Sequence, residues 1–207
     1  MAKNQREPHL RIRRLRRAEL PIDTLELAKY LIGKTLVHDL PRVRVAGRIV
    51  ETEGYPIGDK AAHACGGLTP SRRSLFLSHG HAYVYFTYGS CFMMNVSSEI
   101  EGTGAGVLIR AVEPLEGIAF MQRRRGTTRF LDLARGPGRL AQAMDIDKRL
   151  DGLNLCNGGK LWLGDEVRPA GLIGVSIRIG ITRDVHQLFR FHERGSPYVS
   201  GPKSARE

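Results

Sequence analysis

Two glutamates, a histidine and four tyrosines stand close together in the first half of this 207-residue chain. Glu51 and Glu53 end an apolar segment, Tyr55 follows two residues later, and His63 comes after a short loop. The stretch 83–88 then contributes tyrosines at three positions. A carboxylate in such a setting can act as a general base, while aromatic faces hold a planar group. The alternative is that both carboxylates are salt-bridged to the many arginines.

The charge balance indicates the class of partner. Lys and Arg number 32 against 21 Asp and Glu, which gives a formal net charge of +11. Such an excess favours nucleic acid as the partner, with an anionic membrane surface as the weaker alternative. No apolar run approaches the ~18 residues of a spanning helix, and no secretion pattern opens the chain. We therefore expect a cytoplasmic, DNA-associated protein, placed in the nucleoid if the source is bacterial.

The three cysteines do not indicate a metal or disulfide framework. Cys65, Cys91 and Cys156 are widely spaced, form no paired metal-ligand signature and cannot all be bridged to one another. We expect them to be reduced packing residues and expect no structural zinc.

The chain divides into a basic arm over residues 1–20 and one folded domain over residues 21–207. About 200 residues suffice for a single domain with a sizeable core. The arm carries a dense basic run, Arg11, Arg13, Arg14, Arg16 and Arg17. Such a run is either a solvated tail or a phosphate-contacting segment. Glu7 and Glu19 interrupt the charge and disfavour an organellar transit peptide.

Three helices and several strands are predicted from local pattern. A capping-box spacing starts a helix at Asp23 that ends near Gly33, Pro114 opens a second helix into 123–125, and a third covers 139–144. The predicted strands are 35–38, 44–53, 83–88, 93–96, 107–112, 161–163 and 173–181. In ideal geometry one strand face would carry Ile49, Glu51, Glu53 and Tyr55. The irregular segment 58–78 is long enough to be functional.

Seven segments, in order, form a signature that resembles the alkyladenine DNA glycosylase family, the methylpurine type of 3-methyladenine DNA glycosylase. They are Val-Glu-Thr-Glu-Gly-Tyr, Ala-Ala-His, Gly-Gly-Leu-Thr-Pro-Ser-Arg, Tyr-Val-Tyr-Phe-Thr-Tyr-Gly, Met-Asn-Val-Ser-Ser, Val-Leu-Ile-Arg-Ala-Val-Glu-Pro-Leu-Glu-Gly and Gly-Pro-Gly-Arg-Leu. The resemblance extends over residues 22–183. It implies a single-domain α/β (α+β) fold, with a curved mixed β-sheet surrounded by helices.

The resemblance also implies roles for individual residues. Glu53 would be the general base that deprotonates the attacking water, with Glu51 as a supporting residue and Arg110 helping to fix the water. The residues that would contact the flipped base are Tyr55, His63, Tyr85 and Asn95, of which Asn95 would exclude normal guanine. Tyr88 would be the wedge that fills the space left by the base.

Phosphate contacts are predicted at three arginines. Arg139 follows Gly-Pro-Gly at a predicted helix N-terminus, where anions bind readily, although it could be an ordinary surface residue. Arg72 and Arg73 are further candidates on the folded domain.

The implied reaction is hydrolysis of the N-glycosidic bond of alkylated or deaminated purines flipped out of duplex DNA. The quoted motifs contain no lysine, so we expect a monofunctional enzyme that leaves an abasic site without cofactor or metal. We also expect a monomer that acts on double-stranded DNA and not at a membrane. A non-catalytic nucleic-acid-binding domain and a tRNA-binding transferase subdomain are the alternatives, but neither would need a water-holding carboxylate.

Overall fold

The computed structural model describes residues 10–87 and 89–202, which form three α-helices and eight β-strands joined by short 3₁₀ turns. The helices are α1 (Thr24–Tyr30), α2 (Ile118–Arg125) and α3 (Pro137–Ala143). The strands are β1 (Thr35–Leu40), β2 (Val43–Tyr55), β3 (Ala82–Thr87), β4 (Cys91–Ser97), β5 (Gly106–Glu116), β6 (Leu161–Gly164), β7 (Ile173–Ser176) and β8 (Arg190–Glu193).

One curled sheet organises the domain around its longest strand. The order is β3-β4-β5-β2-β1-β6, and β8 pairs with both β2 and β7. Along one edge of β2, the first half pairs with β1 and the second half pairs with β8. Along the other edge, most of β2 pairs with β5. The predicted single-domain α/β fold with a curved sheet is confirmed. The strand pairings among the described residues are antiparallel, whereas the resemblance implied a mixed sheet.

A β-bulge in β2 changes which residues share a face. The pairing with β5 shifts register between Ile49 and Glu51, and an extra residue in one strand reverses the alternation of side chains beyond it. Ile49 therefore packs in the main hydrophobic core, while Glu51 and Glu53 both contact Arg110. The prediction that Ile49 shares the face of the glutamates is wrong for this reason.

The helix predictions are confirmed at α1 and corrected at α2. The Asp23 side chain accepts hydrogen bonds from the backbone N–H groups of Leu25 and Glu26, both at 2.9 Å, and so caps α1. Pro114 does not open a helix but lies within β5, opposite Gly47. The helix begins after Gly117, whose φ of 73° allows the turn out of the strand.

Two other boundaries differ from the predictions. Helix α3 begins at Pro137 and not at Arg139, because proline suits the first helical position. The predicted strand 173–181 ends at Ser176, and the residues after it form a loop. Strand β8 was not predicted.

Residues 10–20 pack against the domain, so the expectation that folded structure begins at Pro21 is wrong for this stretch. Leu15 is fully buried and donates its N–H to the carbonyl of Leu163 at 2.9 Å. Arg14 forms a bridge with Gly164 and lies over the Trp162 ring at 4.3 Å. The segment around Leu15 therefore pairs with the edge of the sheet at β6. Residues 1–9 lie outside the described residues.

Within the described ranges, no helix is long and apolar enough to cross a membrane.

Candidate active site

A cavity of about 390 Å³ opens between the second half of β2, the strands β3, β4 and β5, and two loops. Five of the predicted catalytic or base-contacting residues line it, namely Tyr55, His63, Tyr85, Asn95 and Arg110. The sheet brings them together because β3, β4, β5 and β2 are neighbours in space. The sixth, Glu53, is fully buried directly behind the cavity wall.

The Glu53 carboxylate is held by three groups that themselves line the cavity. Its Oε1 accepts the backbone N–H of Ile179 at 2.7 Å, and its Oε2 accepts the hydroxyl of Tyr55 at 2.9 Å. A nitrogen of Arg110 lies 3.1 Å from the same Oε2. An ionised carboxylate offers about four acceptor positions, so these contacts leave capacity for a further donor such as water.

Glu51 is equally buried but is saturated by protein donors. It accepts hydrogen bonds from the side chains of Arg110 at 2.8 Å and Arg190 at 2.7 Å. Ser200 adds its backbone N–H at 2.6 Å and its hydroxyl at 2.8 Å. Burial raises the pKa of Glu51, but the two arginine cations outweigh it and hold the pKa below its ordinary value. Four donors use the acceptor capacity of the carboxylate, which makes Glu51 a structural anion.

Arg110 connects the two carboxylates. Its side chain is 7% exposed, bonded to Glu51 on one side and ion-paired with Glu53 on the other. Burial lowers the pKa of Arg110, but the Coulombic attraction of Glu53 and Glu51 raises it above its ordinary value overall. The guanidinium is thus a fixed cation at the cavity wall.

Besides Tyr55, three stacked or tilted rings line the cavity. Tyr83 and Tyr85 stack with centroids 5.2 Å apart, and the His63 ring lies 4.2 Å from that of Tyr85. Nδ1 of His63 is 3.0 Å from the hydroxyl of Tyr83. Burial, with a smaller contribution from Arg72, lowers the pKa of His63. A neutral imidazole has one ring N–H to donate and one nitrogen to accept.

Asn95 brings an amide to the cavity from the middle of β4. It pairs with Tyr83 on β3 and with Leu108 on β5, and it is 6% exposed. Its Nδ2 is a buried polar atom without a hydrogen-bond partner in the described part of the chain. An unsatisfied buried amide is costly, and it offers a specific contact to whatever occupies the cavity.

The predicted phosphate contacts lie outside the cavity lining. Arg73 is exposed, Arg72 is half-buried beside Gly66, and both belong to the 3₁₀ turn Pro70–Phe76. The Arg139 side chain is 49% exposed and lies 3.4 Å from Asp132. Tyr88, the predicted wedge, lies outside the described residues.

The loop after β7 contributes a wall of the cavity that the sequence did not indicate. Residues 179–183 line it, and the N–H of Ile179 orients Glu53. Asp184 accepts the N–H of Lys60 at 2.7 Å, which ties this loop to the loop after β2. Lys60 itself lines the cavity although the quoted motifs contain no lysine.

Sequence reasoning also missed Tyr83, Arg190 and Ser200. The family resemblance assigns no role to Tyr83, which is buried and lines the cavity. Arg190 stands between Phe189 and Phe191, and a charged residue flanked by two aromatic ones could have indicated a buried ion pair. Nothing in the pattern around Ser200 indicates its contact with Glu51.

Comparison with known proteins gives a consistent result. The family model described as methylpurine-DNA glycosylase matches residues 18–197. A protein of Mesorhizobium japonicum is 60% identical over 191 residues, covering 92% of each chain. A protein of Paraburkholderia phytofirmans is 52% identical over 198 residues, covering 96% of this chain and 93% of its own. One of Chlorobaculum parvum is 49% identical over 193 residues, covering 89% and 91%. All three are provisionally named 3-methyladenine DNA glycosylases.

Proposed function

Because the chain belongs to the methylpurine-DNA glycosylase family and is a DNA repair glycosylase, we propose that it excises alkylated and deaminated purines through the cavity described above. Glu53 activates the water, Tyr55 and Tyr85 hold the flipped base, and Arg110 fixes the reacting groups. The observation that carries the proposal is the Glu53 carboxylate, held by three cavity-lining groups with acceptor capacity to spare.

The proposed reaction needs little beyond a positioned water. Glu53 accepts a proton as the water oxygen forms a bond to C1′, and the glycosidic electron pair leaves with the purine. A base that already carries a positive charge leaves as a neutral molecule. A neutral purine leaves as an anion and takes a proton from solvent water, while Glu53 returns its proton to solvent. The Arg110 cation and the N–H of Ile179 keep the carboxylate in one orientation. A positioned general base is worth a factor of ~10²–10⁴ in rate.

Base selection is assigned to the aromatic residues and to Asn95. A flipped purine gains stacking and cation-π attraction from the faces of Tyr55 and Tyr85. Asn95, which lines the cavity, opposes the exocyclic amino group of undamaged guanine and rejects it by crowding. His63, held by Tyr83, offers a hydrogen bond to the edge of the base.

Contacts with the DNA backbone are assigned to the basic surface. Arg72, Arg73 and Arg139 contact phosphates. The segment 1–20 adds positive charge, and its contribution to the affinity falls as the salt concentration rises. Tyr88 occupies the space left by the flipped nucleotide and offsets part of its unstacking cost. We further propose that the protein acts as a monomer on double-stranded DNA in the cytoplasm.

The test is excision from defined duplexes. A labelled duplex with one hypoxanthine, a duplex treated with a methylating agent and the undamaged duplex are each incubated with the protein and then heated in alkali. We expect strand breaks at the lesions only after alkali, because hydrolysis leaves an abasic site and not a nick.

Two results would contradict the proposal. Failure to release a base from either damaged duplex would remove the assigned substrate class. Breaks before alkali treatment would indicate a lyase step, for which an amine such as that of Lys60 would be needed.

A further inference from the structure

A buried arginine lies against the ring of Tyr55. The guanidinium carbon of Arg178 is 4.6 Å from the Tyr55 ring centroid, and its side chain is fully buried. Asp59, itself 1% exposed, pairs with both terminal nitrogens, one of them at 3.0 Å. The carbonyl of Gly54 accepts a third hydrogen bond at 3.1 Å. Arg178 is therefore held on the ring by fixed contacts, and solvent does not screen it.

Arg178 covers one face of the Tyr55 ring without lining the cavity. Tyr55 lines the cavity, whereas Arg178 and Asp59 do not. The guanidinium also lies 5.3 Å from the ring of Phe189, so it is enclosed between two aromatic side chains. Anything stacked on Tyr55 from the cavity thus has a cation on the opposite face of the same ring.

A cation behind an aromatic ring changes what the front face attracts. Cations bind aromatic faces because the ring quadrupole is negative there. A guanidinium on the far face already draws that electron density toward itself, and its own charge repels a second cation. Burial strengthens both effects because the local dielectric is low. Asp59 reduces the repulsion by supplying a negative charge next to Arg178.

We propose that Arg178 is a specificity-determining residue that lowers the preference of Tyr55 for positively charged bases and so lets neutral damaged purines compete. The inference rests on the proposed function, in which Tyr55 stacks on the flipped base. Asp59 sets the strength of the effect by neutralising part of the arginine charge. Arg178 does not touch the reacting atoms, and it acts through the ring that it supports.

The experiment compares a positively charged lesion with a neutral lesion in the same sequence context. Single-turnover excision is measured for 7-methylguanine, which is a cation, and for hypoxanthine, which is neutral. Arg178→Gln should raise the ratio of the 7-methylguanine rate to the hypoxanthine rate by about twofold to tenfold, the scale of a cation-π contact. Asp59→Asn should lower the ratio, because it leaves the arginine charge uncompensated. Arg178→Lys keeps the charge and should keep the ratio near that of the wild type.

A matched control is provided by Arg48, another fully buried arginine, which pairs with Glu193 at 2.6 Å away from the cavity. Arg48→Gln should leave the ratio unchanged even where it lowers stability. If Arg178→Gln does not fold, the double variant Asp59→Asn with Arg178→Gln retains a hydrogen-bonded neutral pair and should still raise the ratio.

Two outcomes would overturn the inference. The first is an equal fall in both rates with an unchanged ratio, which would leave Arg178 with a purely structural role. The second is a rise in the ratio for Arg48→Gln as large as that for Arg178→Gln. A wild-type protein that excises neither lesion would instead contradict the proposed function, so the two failures are distinguishable.

Discussion

Glu51 and Glu53 stand two residues apart on β2, are both fully buried and both contact Arg110, yet their surroundings differ. Glu51 accepts four hydrogen bonds from Arg110, Arg190 and Ser200. Glu53 accepts two and has one ion pair, all from groups at the cavity wall. A saturated carboxylate is suited to hold the fold together, and one with spare acceptor capacity is suited to hold a water.

The difference arises from what covers each carboxylate. Over Glu51 the C-terminal segment closes the structure, because Val50, Ala111 and Val199 form a small apolar cluster beside Ser200. Over Glu53 lies the loop that carries Ile179, and this loop lines the cavity. Positions two residues apart on one strand therefore have different surroundings because different distant segments cover them.

The largest effect is expected for Glu53→Gln. This change removes the proposed base but keeps the side-chain shape, so excision should fall by a factor of ~10²–10⁴ while lesion binding changes by no more than severalfold. Single-turnover rates and binding isotherms on the hypoxanthine duplex measure the two quantities. A rate near that of the wild type would show that Glu53 is not the general base.

Glu51→Gln should act mainly on stability. It leaves two buried arginines facing a neutral amide, and loss of one partner of a buried ion pair costs roughly 3–5 kcal/mol. Urea unfolding measures the loss, and excision by the folded fraction should fall less than for Glu53→Gln. Glu26→Gln is the control, because Glu26 and Lys29 form an exposed pair worth at most ~1 kcal/mol. A stable Glu51→Gln protein without activity would reverse the two roles.

The local sequence pattern predicted the elements that carry Glu53 better than it predicted the distant segments that cover Glu51. The strand that ends in Glu53 and Tyr55, the capped helix α1 and the tyrosine strand β3 follow from short-range periodicity and capping. Their meeting at one cavity was expected from the family resemblance. The residue roles themselves remain predictions.

Other features depended on contacts between distant parts of the chain. Arg190 is 139 residues from Glu51, and Arg178 is 119 residues from Asp59, so no local pattern joins them. Pro114 shows the opposite failure, in which a local helix-start signal was overridden by pairing with β2. The bulge before Glu51 reversed the predicted face of Ile49, because alternation alone does not reveal an extra residue.

Acid should weaken the anchor at Glu51. Burial raises the pKa of this carboxyl, but the two arginines Arg110 and Arg190 lower it by more. Its pKa in the folded protein therefore lies below the ordinary value of 4.5. The unfolded chain then binds the proton first as the pH falls, and the stability from this group is complete above pH 4.5 and is lost below it. The difference in unfolding free energy between wild type and Glu51→Gln should therefore narrow from pH 6 to pH 3. Other acidic groups are common to both proteins and cancel. A constant difference would show that the charge of Glu51 does not carry its effect.

The smallest effect is expected for Ser200→Ala, which sharpens the comparison by removing a single donor. The hydroxyl of Ser200 donates to Glu51 and accepts from Arg110 at 3.2 Å. Its loss should cost about 1 kcal/mol of unfolding free energy, because the backbone N–H of Ser200 and both arginines still hold the carboxylate. Excision should change by no more than severalfold, since Glu53 keeps its contacts. Ser71→Ala, at an exposed position, is the control. If Ser200→Ala reduced excision as strongly as Glu53→Gln without loss of stability, the C-terminal segment would have to be counted as part of the catalytic site, and Glu51 would no longer be only an anchor.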